Sequence, residues 1–93
     1  MSFYVYILRC ADGSYYVGHT DDLEKRVAEH ERGSITVYTR KRRPLVLVLS
    51  AEFYTREEAK ERERQIKGWS RAKKEALING NWERLQRLAR NLY

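Results

Sequence analysis

The chain has one cysteine, one proline and five glycines in 93 residues, and each scarcity excludes something. Cys10 has no second thiol in the chain, so no internal disulfide staples the fold, which suits a reducing compartment. A lone cysteine beside a strand reads as a small core residue. With Pro44 the only proline and no Gly/Ser-rich stretch, there is no interior linker, repeat or low-complexity segment. No apolar run approaches the length of a membrane span, and "MSFYVYILRC" carries no basic segment ahead of a signal-like stretch. We therefore expect no membrane insertion, no export and a cytoplasmic location.

What is present is a chain of 42% hydrophobic and 34% charged residues, too apolar for disorder and short enough for one domain over residues 1–93. The net charge is +6, unevenly spread. Residues 1–33 carry four Lys/Arg against six Asp/Glu, and residues 34–93 carry fifteen against seven. A basic excess confined to part of a small chain points to a polyanion, nucleic acid first, although it also serves plain solubility.

The local patterns give an element order. "FYVYILRC" and "SYYVGHT" are aromatic and β-branched runs joined through Asp12-Gly13, a hairpin signal for strands over about 3–9 and 14–19. "TDDLEKRVAEHERG" offers capping residues, Leu23 and Val27 four apart, and Gly33 as a stop, which predicts a helix. "SITVYTRKRRP" reads as a mobile or ligand-facing loop, and "LVLVLSAEF" as a central strand covered on both faces. Thr55-x-x-Glu58 opens a helix to about Lys67. Ser70 and Asn81 cap two more. In the last, Trp82, Leu85, Leu88 and Leu92 recur at helical spacing, which should cap the core or supply a dimer face. Trp69 and Trp82 read as core anchors. The order β-β-α-β-α-α-α makes one α+β domain with a small three-stranded sheet.

Several residues on this frame could do chemistry. Glu63 falls between Ala59 and Ile66 on the inward stripe of its helix, where a carboxylate needs a partner: a salt bridge, which position alone favours, or a metal ion. Tyr6 and Tyr16 lie ten residues apart across the Asp12-Gly13 turn; their hydroxyls could bind phosphate or, with a depressed pKa, take a proton from water. Gly18 signals close backbone approach or a bulge. Arg26 and His30 are i and i+4 on one helix face, suited to holding a phosphate and moving a proton, or to being an exposed charged face, which is the simpler reading of His30 alone. His19 is a second proton carrier or a cap-region residue. The uninterrupted run Arg40, Lys41, Arg42, Arg43, with Lys67, Lys73 and Lys74, is a candidate phosphate-binding surface without sequence information.

The spacing of these residues resembles the GIY-YIG nuclease superfamily over roughly residues 3–78. The namesake tripeptides are matched by Tyr4-Val5-Tyr6 and Tyr16-Val17-Gly18, the family arginine by Arg26 and the metal-binding glutamate by Glu63. "DGSYYVGHTDDLEKRVAEHERG", "RRPLVLV" and "EAKERERQIKGWSRAKKEAL" look most like its small bacterial members. The resemblance implies an antiparallel sheet flanked by helices, with a C-terminal helix over about 81–92 beyond the motif core. It also implies a phosphodiester hydrolase using one Mg²⁺ or Mn²⁺ ion on Glu63. Tyr6 and Tyr16 would be the hydroxyl pair and Arg26 the phosphate clamp; His19 stands where members often have lysine or histidine, and His30 matches a histidine in some of them.

The implied function is endonucleolytic hydrolysis of DNA, structure-selective or of low sequence specificity, as in repair or recombination. The protein would be a monomer or weak homodimer, with a partner protein as one source of specificity. Two departures stand out: Tyr4 replaces the glycine of the first tripeptide, and Glu75 stands where some members have asparagine. A non-catalytic nucleic-acid-binding module or an accessory subunit with the same fold is the competing expectation.

Overall fold

A computed structural model describes residues 2–90. The hairpin forms as its sequence dictates. Strand β1, Phe3–Arg9, pairs antiparallel with β2, Tyr15–Thr20, in a register that sets Val5 against His19 and Tyr6 against Gly18. Gly13 takes a φ of +85°, which glycine adopts without steric cost. Helix α1, Leu23–Glu31, starts where the Asp22 carboxylate accepts the Lys25 N–H at 3.2 Å. Next come α2, Val37–Arg40; β3, Val46–Phe53; α3, Arg56–Lys67; α4, Arg71–Ile78; and α5, Trp82–Arg90. Thr55 and Ser70 cap α3 and α4 by accepting the N–H groups of Glu58 and Lys73, as their positions predict.

The fold is α+β with a three-stranded antiparallel sheet in the order β2-β1-β3. One sheet face carries Val5, Ile7 and Val17, which pack against Ala59 and Ile66 of α3 to make the core. Burying each of these Val and Ile side chains contributes about 1.5–3 kcal/mol. Cys10 is buried, the small core residue expected of it. Among the described residues no helix is long and apolar enough to cross a membrane.

Four expectations are corrected. The apolar run "LVLVLSAEF" is an edge strand and not the central one, because β1 takes the middle position; Val46 is 48% exposed at its open end. The stretch read as a loop before the basic run contains helix α2, whose cap is Thr36 accepting the Thr39 N–H at 3.0 Å. Trp82 is 61% exposed and anchors nothing in the core, whereas Trp69 does pack against it. Helix α5 lies against α4 and does not cap the core cluster, with Leu85 and Leu88 half-buried. Leu92, expected on the same stripe, lies outside the described residues.

Candidate active site

The site is built around the edge strand β2. Residues directly opposed in an antiparallel pair share a sheet face, so Tyr6, Gly18 and Tyr16 lie on the face away from the core, and His19 lies with Val5 on the face covered by α3. The Tyr6 ring leans across Gly18: a Cβ built on that glycine would come within 2.6 Å of Tyr6 Cζ. Only a residue without a side chain lets the ring reach the sheet edge there. The Tyr6 and Tyr16 rings are 6.4 Å apart, centroid to centroid.

Beneath Tyr6 runs a buried polar chain. The Tyr6 hydroxyl is 2.8 Å from His30 Nε2, His30 Nδ1 is 2.9 Å from Thr39 Oγ1, and Thr39 Oγ1 is 2.9 Å from Thr36 Oγ1. His30 is completely buried, which corrects the simpler reading of it as part of an exposed charged face. Helix α2 folds over it and supplies Thr39, a residue the sequence pattern hid behind β-branched neighbours. Burial, and after it the Arg26 charge, lowers the His30 pKa below the usual 6.5, so the ring is neutral and has one donor and one acceptor. Tyr6 O–H donating to Nε2, and Nδ1–H donating to Thr39, satisfies all three groups.

Neither tyrosine has the depressed pKa that a ready phenolate base would need. Burial pushes the Tyr6 phenol up to about 12, assisted by Tyr16 and opposed by Arg26. Tyr16 is also raised, by burial first and then by Glu63. Arg26, from α1, lowers both phenols, and Glu63, from α3, raises both, so charges from two helices act on the tyrosine pair. At pH 7 a phenol of pKa about 12 is ionised in only about one molecule in 10⁵.

The other side of the edge holds the carboxylate. Glu63 Oε1 accepts from or pairs with His19 Nδ1 at 3.1 Å, and Oε2 lies 3.6 Å from Lys67 Nζ. Its side chain is 18% exposed, so it is inward-facing but reached by solvent. The inward carboxylate thus has one cation, Lys67, and the His19 imidazole beside it, and it keeps an open side. Among the described residues no three His, Cys, Asp or Glu side chains gather as a metal cage. A single carboxylate nonetheless fits an ion such as Mg²⁺, which keeps several waters and takes its other ligands from substrate phosphate. Glu75 is occupied elsewhere, accepting from Tyr15 at 3.3 Å and pairing with Arg71 at 3.5 Å.

Arg26 is the least satisfied group of the site. Its Nε lies 3.5 Å from Glu29 Oε1, close enough for attraction, yet it is buried with no aligned hydrogen-bond acceptor. An unmatched buried donor costs about 1–3 kcal/mol until a partner arrives. It borders a polar hollow of about 410 Å³ with Thr20, Asp21, Asp22, Lys25 and Glu29.

The basic surface divides. Arg42 is tied to Asp12 by a 3.0 Å ion pair, and Arg43 donates to the carbonyls of Arg40 and Glu31, so these two hold the chain in place as well as carrying charge. Arg40, Lys41, Lys67 and Lys74 have no such multiple ties among the described residues, apart from the Lys67 pair with Glu63. Lys73, expected on the binding surface, is corrected: it is 8% exposed, with its ammonium 4.3 Å from the Trp69 ring centroid, where cation–π attraction and the aliphatic stem favour packing over display. A separate hollow of about 490 Å³, floored by Tyr4, Leu23, Val27 and Leu47, is rimmed by Asp21, Asp22 and Glu24 and so repels phosphate.

The sheet edge thus carries paired tyrosines around a glycine, with an arginine and an inward glutamate beside them. Residues 2–76 match the family described as the GIY-YIG catalytic domain, and the chain belongs to that family. Within it, the chain is similar to UPF0213 proteins of bacteria and archaea. It is 49% identical to one from Natronomonas pharaonis over 81% of this chain and 88% of that one. With one from Staphylococcus saprophyticus the identity is 47%, over 82% and 93%. The solution NMR structure of a UPF0213 protein from Bacillus halodurans shares 46% identity, covers 85% of this chain and 84% of its own, and superposes with a TM-score of 0.56. A solution NMR structure of a protein from E. faecalis, 40% identical over 86% and 85%, superposes at 0.61. Membership points to nuclease chemistry of the kind generally carried out with a divalent ion.

Proposed function

We propose that the protein is a divalent-metal-dependent endonuclease that hydrolyses DNA phosphodiester bonds, structure-selectively or with low sequence specificity. What carries the reading is the convergence of Tyr6, Tyr16, Arg26 and Glu63 on one strand edge from four separate elements, with the Arg26 Nε lacking an aligned acceptor. Binding alone would need the basic surface but no inward carboxylate.

In this reading the Tyr6 oxygen accepts a hydrogen bond from the attacking water while its own proton points to neutral His30. With a phenol pKa near 12, Tyr6 works as a relay and orienting group: as the water proton moves onto the tyrosine oxygen, the tyrosine proton moves onto His30 Nε2. Arg26 holds the phosphate and meets the charge that grows on it. Glu63 would hold Mg²⁺ or Mn²⁺, which when bound would stabilise charge on the phosphate and leaving oxygens. His19 fixes the orientation of that carboxylate through its 3.1 Å contact.

The test is cleavage of labelled single-stranded, duplex and branched DNA with Mg²⁺, Mn²⁺ or EDTA, using Glu63→Gln as the control. Cutting should require metal and vanish in the variant. The second reading, a nucleic-acid-binding module, is favoured by one observation: Glu63 already sits between His19 and Lys67. Salt-sensitive DNA binding without turnover in any metal would establish it.

A further inference from the structure

Beside the tyrosine pair lies a groove of about 310 Å³ lined by Tyr15, Tyr16, Val17, Tyr38, Lys67 and Lys74. Tyr38 was not singled out by its sequence, since a tyrosine in a β-branched run is ordinarily packing. Here it is 37% exposed and yet held in place from several directions. Its hydroxyl donates to Ser14 Oγ at 2.6 Å, and Ser14 Oγ donates in turn to Asp12 at 2.6 Å. The Arg42 guanidinium lies 3.8 Å from its ring centroid, donates to the Tyr38 carbonyl at 3.1 Å and pairs with Asp12 at 3.0 Å. Asp12, Ser14, Tyr38 and Arg42 thus close a ring of contacts that fixes a solvent-reached aromatic face.

The Tyr38 and Tyr16 ring centroids are 6.3 Å apart, tilted by 33°, within the contact range of an aromatic pair, so the two rings form one continuous aromatic wall of the groove. Lys67 joins the groove to Glu63, 3.6 Å away, and Lys74 adds a second cation. Aromatic surface interleaved with cations is the chemistry of single-strand recognition, in which a splayed base stacks and its phosphate meets an ammonium. A paired base has both faces covered by its neighbours and cannot enter.

We propose that this groove is a stacking subsite for an unpaired nucleobase flanking the scissile phosphate, with Tyr38 the platform and Lys67 and Lys74 its phosphate contacts, so that the site prefers single-stranded DNA. The inference rests on the endonuclease reading of the same site. Tyr38 is a specificity residue in it and takes no part in the proton transfers.

The experiment uses the full chain carrying Glu63→Gln, in EDTA, with oligonucleotides that hold 2-aminopurine at successive positions, single-stranded or in duplex. Stacking should quench the probe at one or two positions of the single strand and nowhere in the duplex. Adding Tyr38→Ala should abolish that quenching and weaken single-strand affinity roughly 5- to 150-fold, with duplex affinity unchanged. Tyr38→Phe, which keeps the ring but loses the bond to Ser14, should retain both. No position-specific quenching, equal losses on both substrates, or failure of Tyr38→Phe to retain binding would each overturn the subsite. Quenching that persists while the unmodified protein cuts no DNA in any metal would sustain the subsite and overturn only the hydrolase reading.

Discussion

The floor of the site and its rim are built to opposite rules. The floor, Tyr6–His30–Thr39–Thr36, is a hydrogen-bonded chain whose central histidine has no exposed surface. The rim, Arg26 with His19, Glu63 and Lys67, is reached by solvent, held by looser ion pairs, and includes a buried donor without an acceptor. A closed network fixes geometry and tolerates no loss, because each truncated member leaves another buried group unpaired. An open one keeps capacity for a ligand. In this molecule the floor fixes the shape of the site, and the rim holds the groups that stay open to a ligand.

The sharpest way to break that comparison is at the rim. Glu63→Gln and Arg26→Ala should each lower the cleavage rate by about 10²-fold or more and leave thermal melting nearly unchanged. A large drop in melting temperature for either would make the rim part of the scaffold.

At the floor the order should reverse. His30→Ala, which empties the space between Tyr6 and Thr39, should destabilise by about 2–5 kcal/mol in urea titrations. Gly18→Ala drives a methyl against the Tyr6 ring and should cost about 1–3 kcal/mol, with loss of activity because the ring must move. If Gly18→Ala melts and cuts like the unmodified protein, the close approach has no role.

The pH dependence separates the two further. An unfolded histidine takes a proton near pH 6.5, whereas buried His30 does so only at lower pH. Between those values the unfolded chain binds more protons, so stability should fall as pH drops below about 6.5 until the folded value is reached. His30→Gln should flatten the melting temperature in that window. In the proposed mechanism Tyr6 passes its proton to neutral His30, so cleavage should persist below the ordinary imidazole range before it fails.

The smallest effects are expected on the basic run. Arg40→Ala and Lys41→Ala should each reduce the salt dependence of DNA binding by about one unit of slope without altering melting. Arg42→Ala should in addition loosen Tyr38 and weaken single-strand binding selectively, since its guanidinium covers that ring. Equal behaviour of all three would show that the run is a uniform patch of charge.

Much of this was legible in the residues. Asp12-Gly13 set the hairpin, while the opposition of Tyr6 and Gly18 came only with the strand register. Thr55 and Ser70 set helix starts, and the spacing of Ala59, Glu63 and Ile66 placed the carboxylate inward. These are local rules of turn, cap and periodicity, which act within a few residues and survive any tertiary context. What periodicity could not supply was the partner of each face. "LVLVLSAEF" is as apolar as a central strand, but sheet order depends on which strand β1 accepts on each side. His30 looks like any polar residue on a helix until α2 covers it, and α2 itself was masked by residues that favour strands.

The sequence by itself determined the elements, the turn glycine, the capped helix starts and the inward carboxylate, because those follow from backbone sterics and side-chain spacing along a single segment. The tertiary structure alone decided that His30 is buried and neutral, that the tyrosine hydroxyls sit above the ordinary range, and that Tyr38 stands fixed beside Tyr16. Each of those depends on burial or on groups brought from distant segments, and neither exists until the chain has closed on itself.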